Sequence, residues 1–596
     1  MLDEALSTAV SEMPAATETA LLRAAVSRVL RQLLEALLFE GCLDSVSVPN
    51  QSATDSMIYF SAGCQHYACK GKVRGFGRIR LDINTLVILE AGKQRASAPL
   101  EMLYELLEAV PGDREAKERL ANELLQCIYL TQWNQQHLPQ ASRRNMGFAA
   151  LETHLWEGHP YHPCFKTRSG FSESDHRLFS SDCGQKFQLR WVGVHQRYAR
   201  WNLPNAPQDF FQSQGCAAFA NSCRQLGQNP SEYLWVPVHP WQWRQYLAEK
   251  LPPVIKGETP AVLDLGYQGD FYRASQSQRT LMNVSRPGAA DIKLPLDIVC
   301  TSSRRHLQSH SLCAAPVISR WLTDTVEQDA FFAEHPLVIL QEFAGVLVDR
   351  DLYDAAGDKS VSQFGVLWRD NITALLREGE RAAPMTALLA TEWDGLPFIQ
   401  QWVEAYGLKP WLEQLLRVLV MPVWHLLACH GMAVEAHAQN AILVHRDGWP
   451  VRLALRDFHE SFEYVPEFVG APENIPAFAK LDPVFAAAPA DQFYWMAELD
   501  ALRELYMDTL YIFHLSELAF ICERHYGLAE SQFWSTVAQQ LRNYAAEGWC
   551  APERLHQLAH KAPKIRAESL IRKKFWNQPA SEYHHWVENP FSEIPI

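Results

Sequence analysis

Residues 435–461 read EAHAQNAILVHRDGWPVRLALRDFHES. Two apolar runs stand in this stretch, at 441–444 and 451–455, with Asp447-Gly448 between them. Short apolar runs around a DG pair predict a β-hairpin. A hairpin brings its two ends together. The polar cluster ahead of it (Glu435, His437, Gln439, Asn440) then meets the one behind it (Arg456, Asp457, His459, Glu460). Asn440 and Asp457 are expected side by side at the open end. An amide oxygen beside a carboxylate suits Mg2+, which takes hard oxygen ligands and keeps waters for exchange with phosphate. Asn and Asp also end strands simply because they favour turns. Against that reading, so many polar groups around an apolar hairpin are costly to bury unless they have a task.

The bulk of the chain narrows the choice. Its 596 residues correspond to roughly four domains or a few large subdomains at ~150 residues each. A hydrophobic share of 48% allows a sizeable core. The net charge of −14 argues against nucleic acid and anionic membranes as partners. An anionic substrate must therefore be held by a local basic cluster. Thirteen scattered cysteines form no dense framework, which points to a reducing compartment. The N-terminus lacks a basic start and an apolar core, so no signal peptide is expected. The apolar stretch 418–429 is short and interrupted by Pro422 and His425, too short to span a bilayer. A soluble cytoplasmic protein follows.

Working outward, residues 20–39, 99–110 and 116–136 carry helical periodicity, and 58–60 and 73–81 read as strands. Residues 158–171, GHPYHPCFKTRSGF, combine fixed prolines with permissive glycines. His162, Lys166 and Arg168 can converge on phosphate there; a solvated basic loop is the plainer alternative. The HPWQ run at 239–242 reads as scaffold. Residues 272–307, YRASQSQRTLMNVSRPGAADIKLPLDIVCTSSRRHL, are the second dense stretch. Ser275, Ser277 and Arg279 fall on one side if the segment is extended. Lys293 is expected to open a strand ending at Cys300, followed by Thr301, Arg304, Arg305 and His306. Arginines and lysines at strand ends around a cleft make a carboxylate or phosphate clamp. Further strands are expected at 337–343 and 364–368, and mostly helix beyond 397.

These motifs, EAHAQN with RDFHE, GHPxHPxxKxRxG, HPWQ, SxRT, KLxLD and TxxxRxL, occur in an order that resembles the IucA/IucC family. Those synthetases build siderophores without a nonribosomal peptide assembly line. The resemblance spans about three quarters of the chain and implies an α+β fold shaped as a cupped hand. A helical thumb with a small sheet would occupy 1–170, antiparallel fingers 171–385, and a mostly helical palm with the hairpin 386–596. It implies ATP and Mg2+ as cofactors, a citrate-like acid and an amine or alcohol as partners, and a homodimer. ATP contacts fall on His162, Lys166, Arg168, Ser277, Arg279, Thr280, Lys293, Thr301, Arg305, Gln439 and Asp457. Asn440, Asp457 and Glu435 would hold the metal. Arg305, His437 and Lys293 would act in catalysis, with Arg305 and His437 on the acid substrate. The implied reaction is adenylation of a carboxylate followed by amide or ester formation. A citrate monoamide or another dicarboxylate is an alternative acid. A kinase-like phosphotransferase lacks its glycine-rich loop here. A reductase-type siderophore protein would need a C-terminal cysteine cluster, and beyond residue 430 only Cys522 and Cys550 occur.

Overall fold

The computed structural model describes residues 16–49, 56–90, 93–96, 99–252, 259–301, 303–354, 357, 361–577 and 583–594. The fold is α+β, as expected. The first of the described helices, Ala16–Phe39, buries Leu30, Leu33, Leu34 and Leu37. It packs with helices Pro99–Ala109 and Arg114–His137 against a six-stranded antiparallel sheet formed by residues 45–96. The strand expected at 73–81 is broken. Gln65–Val73 ends where Gly75–Gly77 turns, and Ile79–Leu81 pairs back on the same strand.

An eight-stranded sheet forms the middle of the chain. Its order is Ala199–Asn202, Glu342–Val348, Gly365–Arg369, Asp291–Lys293, Thr280–Asn283, Val262–Ala274, Phe187–His195 and Tyr233–Val238, antiparallel throughout. The strand expected from Lys293 to Cys300 is not continuous. Lys293 closes Asp291–Lys293, and Val299–Cys300 pairs separately with Ser303–Arg304. Pro295 lies between them and has no N–H to give a ladder.

The hairpin forms as Ala441–Arg446 and Trp449–Leu455. Asp447 and Gly448 have φ of 48° and 92°, the two-residue turn that matches strand twist. A Cβ at Gly448 would stand 2.1 Å from Trp402, so only glycine fits. Two further strands flank the hairpin. Leu337–Ile339 runs parallel to Trp449–Leu455, and Arg381–Pro384 runs antiparallel to Ala441–Arg446. The expected strand 337–343 is thus two strands in different sheets.

Helix Leu408–Ala428 backs the hairpin sheet. The segment Leu499–Tyr526 is a longer apolar helix than 418–429 and meets the length and hydropathy of a membrane span. It is mostly buried inside the protein, which makes it a core helix. Its middle, Met507–Leu515, is π-helical, and there Thr509 and His514 bond the backbone of Ala436 just before the hairpin.

Candidate active site

The hairpin's open end is fixed by backbone bonds. Asn440 carbonyl accepts from Arg456 N–H at 3.1 Å, next to the last paired residues Ala441 and Leu455. His437 Nδ1 accepts from the N–H groups of Gln439 and Asn440, both at 3.2 Å. Its other nitrogen lies 3.6 Å from Glu435 Oε1. The Asn440 amide nitrogen donates to the Glu435 carbonyl and carboxylate, leaving the amide oxygen as the group it can offer a ligand.

Asp457 follows the hairpin with φ of 66°. Its Oδ1 accepts from Lys293 Nζ at 2.7 Å and from Arg369 at 2.9 Å. Arg369 also binds Asp291 at 2.9 Å. Lys293 stands 3.5 Å from Glu342, and Glu342 holds His459 Nδ1 at 2.9 Å. Burial alone would raise the Glu342 carboxyl, yet His459 and Lys293 hold it down at about 2. Burial likewise opposes ionisation of Asp457, and Lys293 and Arg369 hold it well below the usual carboxylate range. Oxygen and nitrogen atoms of Glu342, Asp457 and His459 come within 4.8 Å of one another.

The 158–171 loop is buried rather than solvated. Gly158 has φ of 66°, and a Cβ there would meet the Phe165 carbonyl at 2.5 Å. Lys166 Nζ is 2.7 Å from Asp182, and Arg168 reaches the same carboxylate at 3.9 Å. Burial pulls the Lys166 ammonium down against the pull of Asp182. Burial also holds His162 neutral, well below its ordinary pKa.

Ser275 to Thr280 form the turn between two strands of the large sheet, with Gln278 at φ of 68°. Ser277 and Arg279 therefore share a side through a turn, not through strand alternation. Arg279 donates to Glu460 at 3.2 Å and to the His306 carbonyl. Arg305 donates to the Cys300 carbonyl at 3.1 Å and, among the described residues, makes no ion pair. Burial lowers its guanidinium pKa, and among the described residues its Nε has no hydrogen-bond partner. Arg304 and His306, expected beside it, are both held by Asp297 at 2.6 Å and do not join the cavity wall.

One cavity of about 400 Å³ gathers these groups. His162, Lys166, Arg168, Ser277, Arg279, Lys293, Thr301, Arg305, Glu435, His437, Gln439, Asn440 and Asp457 all line it. Thr280 does not; it is fully buried in its strand. His239 is also outside, its Nδ1 capping the N–H of Trp241. Sequence reading missed His159 and Asp182 in the wall, and Glu342 and Glu152 behind it. Glu152 ties Arg456 at 2.7 Å and the Gln276 N–H at 3.0 Å, joining three distant segments. The one signal was a lone acid inside an apolar run, LVILQEF for Glu342.

The IucA / IucC family profile matches residues 147–390, and a profile described as ferric iron reductase FhuF-like transporter matches 409–579. Along nearly the whole length, the chain is 31% identical over 580 residues to the citryl-spermidine/3,4-dihydroxybenzoyl-citryl-spermidine:spermidine ligase of Bacillus anthracis, covering 94% of this chain and 92% of that one. The chain belongs to the IucA/IucC family. Its fold agrees with that of the petrobactin biosynthesis protein AsbB from Bacillus anthracis str. Sterne, with a TM-score of 0.86 and 31% identity over 96% of both chains. Aerobactin synthetase IucC from Klebsiella pneumoniae shares the fold at a TM-score of 0.78 and 23% identity, over 96% of this chain and 98% of that one. IucA/IucC relatives carry names of siderophore synthases and ligases, and this member is a ligase of that family.

Proposed function

We propose that the chain activates a carboxylate of citrate with ATP and condenses it with an amine in siderophore biosynthesis. The observation that carries this reading is the convergence of Arg279, Lys293 and Arg305, the last without an ion pair among the described residues, on the cavity that also holds Asn440 and Asp457. A citrate carboxylate oxygen attacks the α-phosphorus, the α–β bond breaks, and pyrophosphate leaves. The amine then attacks the acyl carbon, loses a proton, and AMP departs. Negative charge grows on the phosphate oxygens, and preorganised cations stabilise it. Arg279, Lys293, Lys166 and Arg168 take that task. Arg305 grips the acid through a two-bond fork, which a lysine cannot copy. His437, fixed by its Nδ1 contacts, orients the acid through Nε2. Gln439 faces the nucleotide from the same wall.

Oxygen donors on Asn440 and Asp457, beside Glu435, fit Mg2+ in kind. When bound, that ion neutralises charge on the triphosphate. Asp457 must then share its carboxylate between the ion and Lys293.

A citrate monoamide is the second acid worth testing, because the Bacillus anthracis relative is named for citryl-spermidine. The same reading includes a cytoplasmic homodimer. The test is pyrophosphate and AMP release with a panel of acids and amines. Release of ADP instead, or equal rates with acetate and citrate, would remove the proposal.

A further inference from the structure

A second cluster of ligating side chains lies away from the cavity. Asp329, His425, Cys429 and His430 each offer one atom, and these atoms all fall within 4.8 Å of one another. None of the four lines the cavity.

The local sequence explains the arrangement. His425 and Cys429 are four residues apart at the end of helix Leu408–Ala428, so they share a face. Gly431 follows with φ of 70°, and a Cβ there would strike the Phe468 carbonyl at 2.3 Å. His430, just before that turn, lies beside His425, with ring centroids 5.3 Å apart. Asp329 comes from the loop after helix Ser309–Gln328. Its Oδ1 accepts from the Phe331 N–H at 2.8 Å. Its Oδ2 stands 3.0 Å from His425 Nε2 and 2.8 Å from His430 Nε2. Tyr544 OH lies 2.7 Å from His425 Nδ1, and the Phe331 ring stacks on the His425 ring at 3.9 Å.

We propose that Asp329, His425, Cys429 and His430 form a structural zinc site. Two imidazoles, a thiolate and a carboxylate are the donor types that zinc takes in four-coordinate sites, whereas all-oxygen sets suit Mg2+ or Ca2+. With bonds of roughly 2.0–2.3 Å, tetrahedral ligand atoms stand about 3.3–3.7 Å apart. Asp329 Oδ2 must therefore draw back a few tenths of an ångström from both imidazoles while the thiol moves in. Binding through Nε2 shifts the ring protons of His425 and His430 from Nε2 to Nδ1; the Tyr544 oxygen accepts the one on His425, and the one on His430 is left to solvent or the backbone. The Cys429 proton passes to solvent as the thiolate forms. Tyr544 is thus a positioning residue that fixes the ligating tautomer. The ion would tie the end of the helix behind the hairpin to the loop after residue 328.

The competing chemistry is a disulfide, because the Cys550 thiol lies within hydrogen-bonding reach of Cys429. The test uses the full chain, reduced and stripped of metal, titrated with ZnCl2 against a chromophoric zinc indicator and then with CoCl2. The expected result is one zinc per chain, a raised Tm, and a thiolate-to-cobalt charge-transfer band that Cys429→Ser lacks. His430→Ala should lose the zinc, Tyr544→Phe should weaken it roughly 10-fold or more, and Arg305→Ala should keep it. If His430→Ala does not fold, Tyr544→Phe and the cobalt band still decide. No zinc on the reduced folded protein overturns the proposal. So does zinc that survives Cys429→Ser unchanged with the cobalt band intact.

Discussion

Lys293 Nζ and Asp457 Oδ1 meet at 2.7 Å, and this pair couples the large sheet to the end of the hairpin. The proposed metal role of Asp457, with its carboxylate also engaged by two cations, makes stability and activity separable. Asp457→Asn keeps size and one acceptor oxygen, so the fold should persist while pyrophosphate release falls roughly 10²-fold or more. Asp457→Ala removes one of the two acids that hold Lys293 and Arg369, which keep Glu342 and Asp291, and should also cost about 1–3 kcal/mol. Urea unfolding beside the activity assay checks both. Asp457→Asn at wild-type speed would refute the metal assignment.

Arg305 behaves in the opposite way. Among the described residues it pairs with no carboxylate, so Arg305→Ala should leave stability within about 0.5 kcal/mol of wild type. Activity should drop sharply, and Arg305→Lys should recover little because the charge remains without the fork. The readout is the Michaelis constant for citrate against that for ATP. Recovery by lysine to near wild type would remove the bidentate grip.

Glu152 and Arg456 form a buried pair that touches no substrate in this reading. Glu152→Ala leaves Arg456 unpaired and frees the turn carrying Ser277 and Arg279. We expect a loss of about 3–5 kcal/mol and a weakened ATP site. Glu152→Ala with Arg456→Met should lose less than the two single changes added. Strict additivity in that cycle would show that the pair does not couple.

Stability should fall on mild acidification. Burial holds His176 and His514 at about 4, and His239 and His560 at about 3. The unfolded chain takes up these protons below about 6.5, whereas the folded chain refuses them until pH 3–4. Their contribution is therefore complete above about pH 6.5 and is lost as pH falls toward 4. Each residue that must stay neutral adds a slope of about 1.4 kcal/mol per pH unit. Urea midpoints from about pH 7.5 to 5 read the effect. A flat midpoint across that range would be incompatible with neutral buried histidines.

Much of the site was legible because its residues cluster in short motifs. The DG turn gave the hairpin, and the hairpin placed Asn440 near Asp457. What the sequence could not disclose was pairing across long distances. Lys166 finds Asp182, Lys293 finds Glu342 and Asp457, and Arg456 finds Glu152, each on a separate segment. Charge alone does not say which acid a buried cation meets. Arg304 and His306 looked equivalent to Arg305 by adjacency, yet Asp297 takes both. Strand Leu337–Ile339 was misplaced because three residues of β structure have no signal apart from their partner.

That short strand has a wider consequence. The two regions of family similarity stop at 390 and resume at 409, which invites cutting the gene there. The interval between them is not a seam in the architecture. A fragment begun at 409 would carry the hairpin without Leu337–Ile339 and Arg381–Pro384, the strands on its two sides. Both edges would stand open to any extended chain, an invitation to aggregate. The halves are therefore not interchangeable modules: Glu342–Val348 and Gly365–Arg369, which lie between those two strands in sequence, tie the same stretch into the large sheet as well.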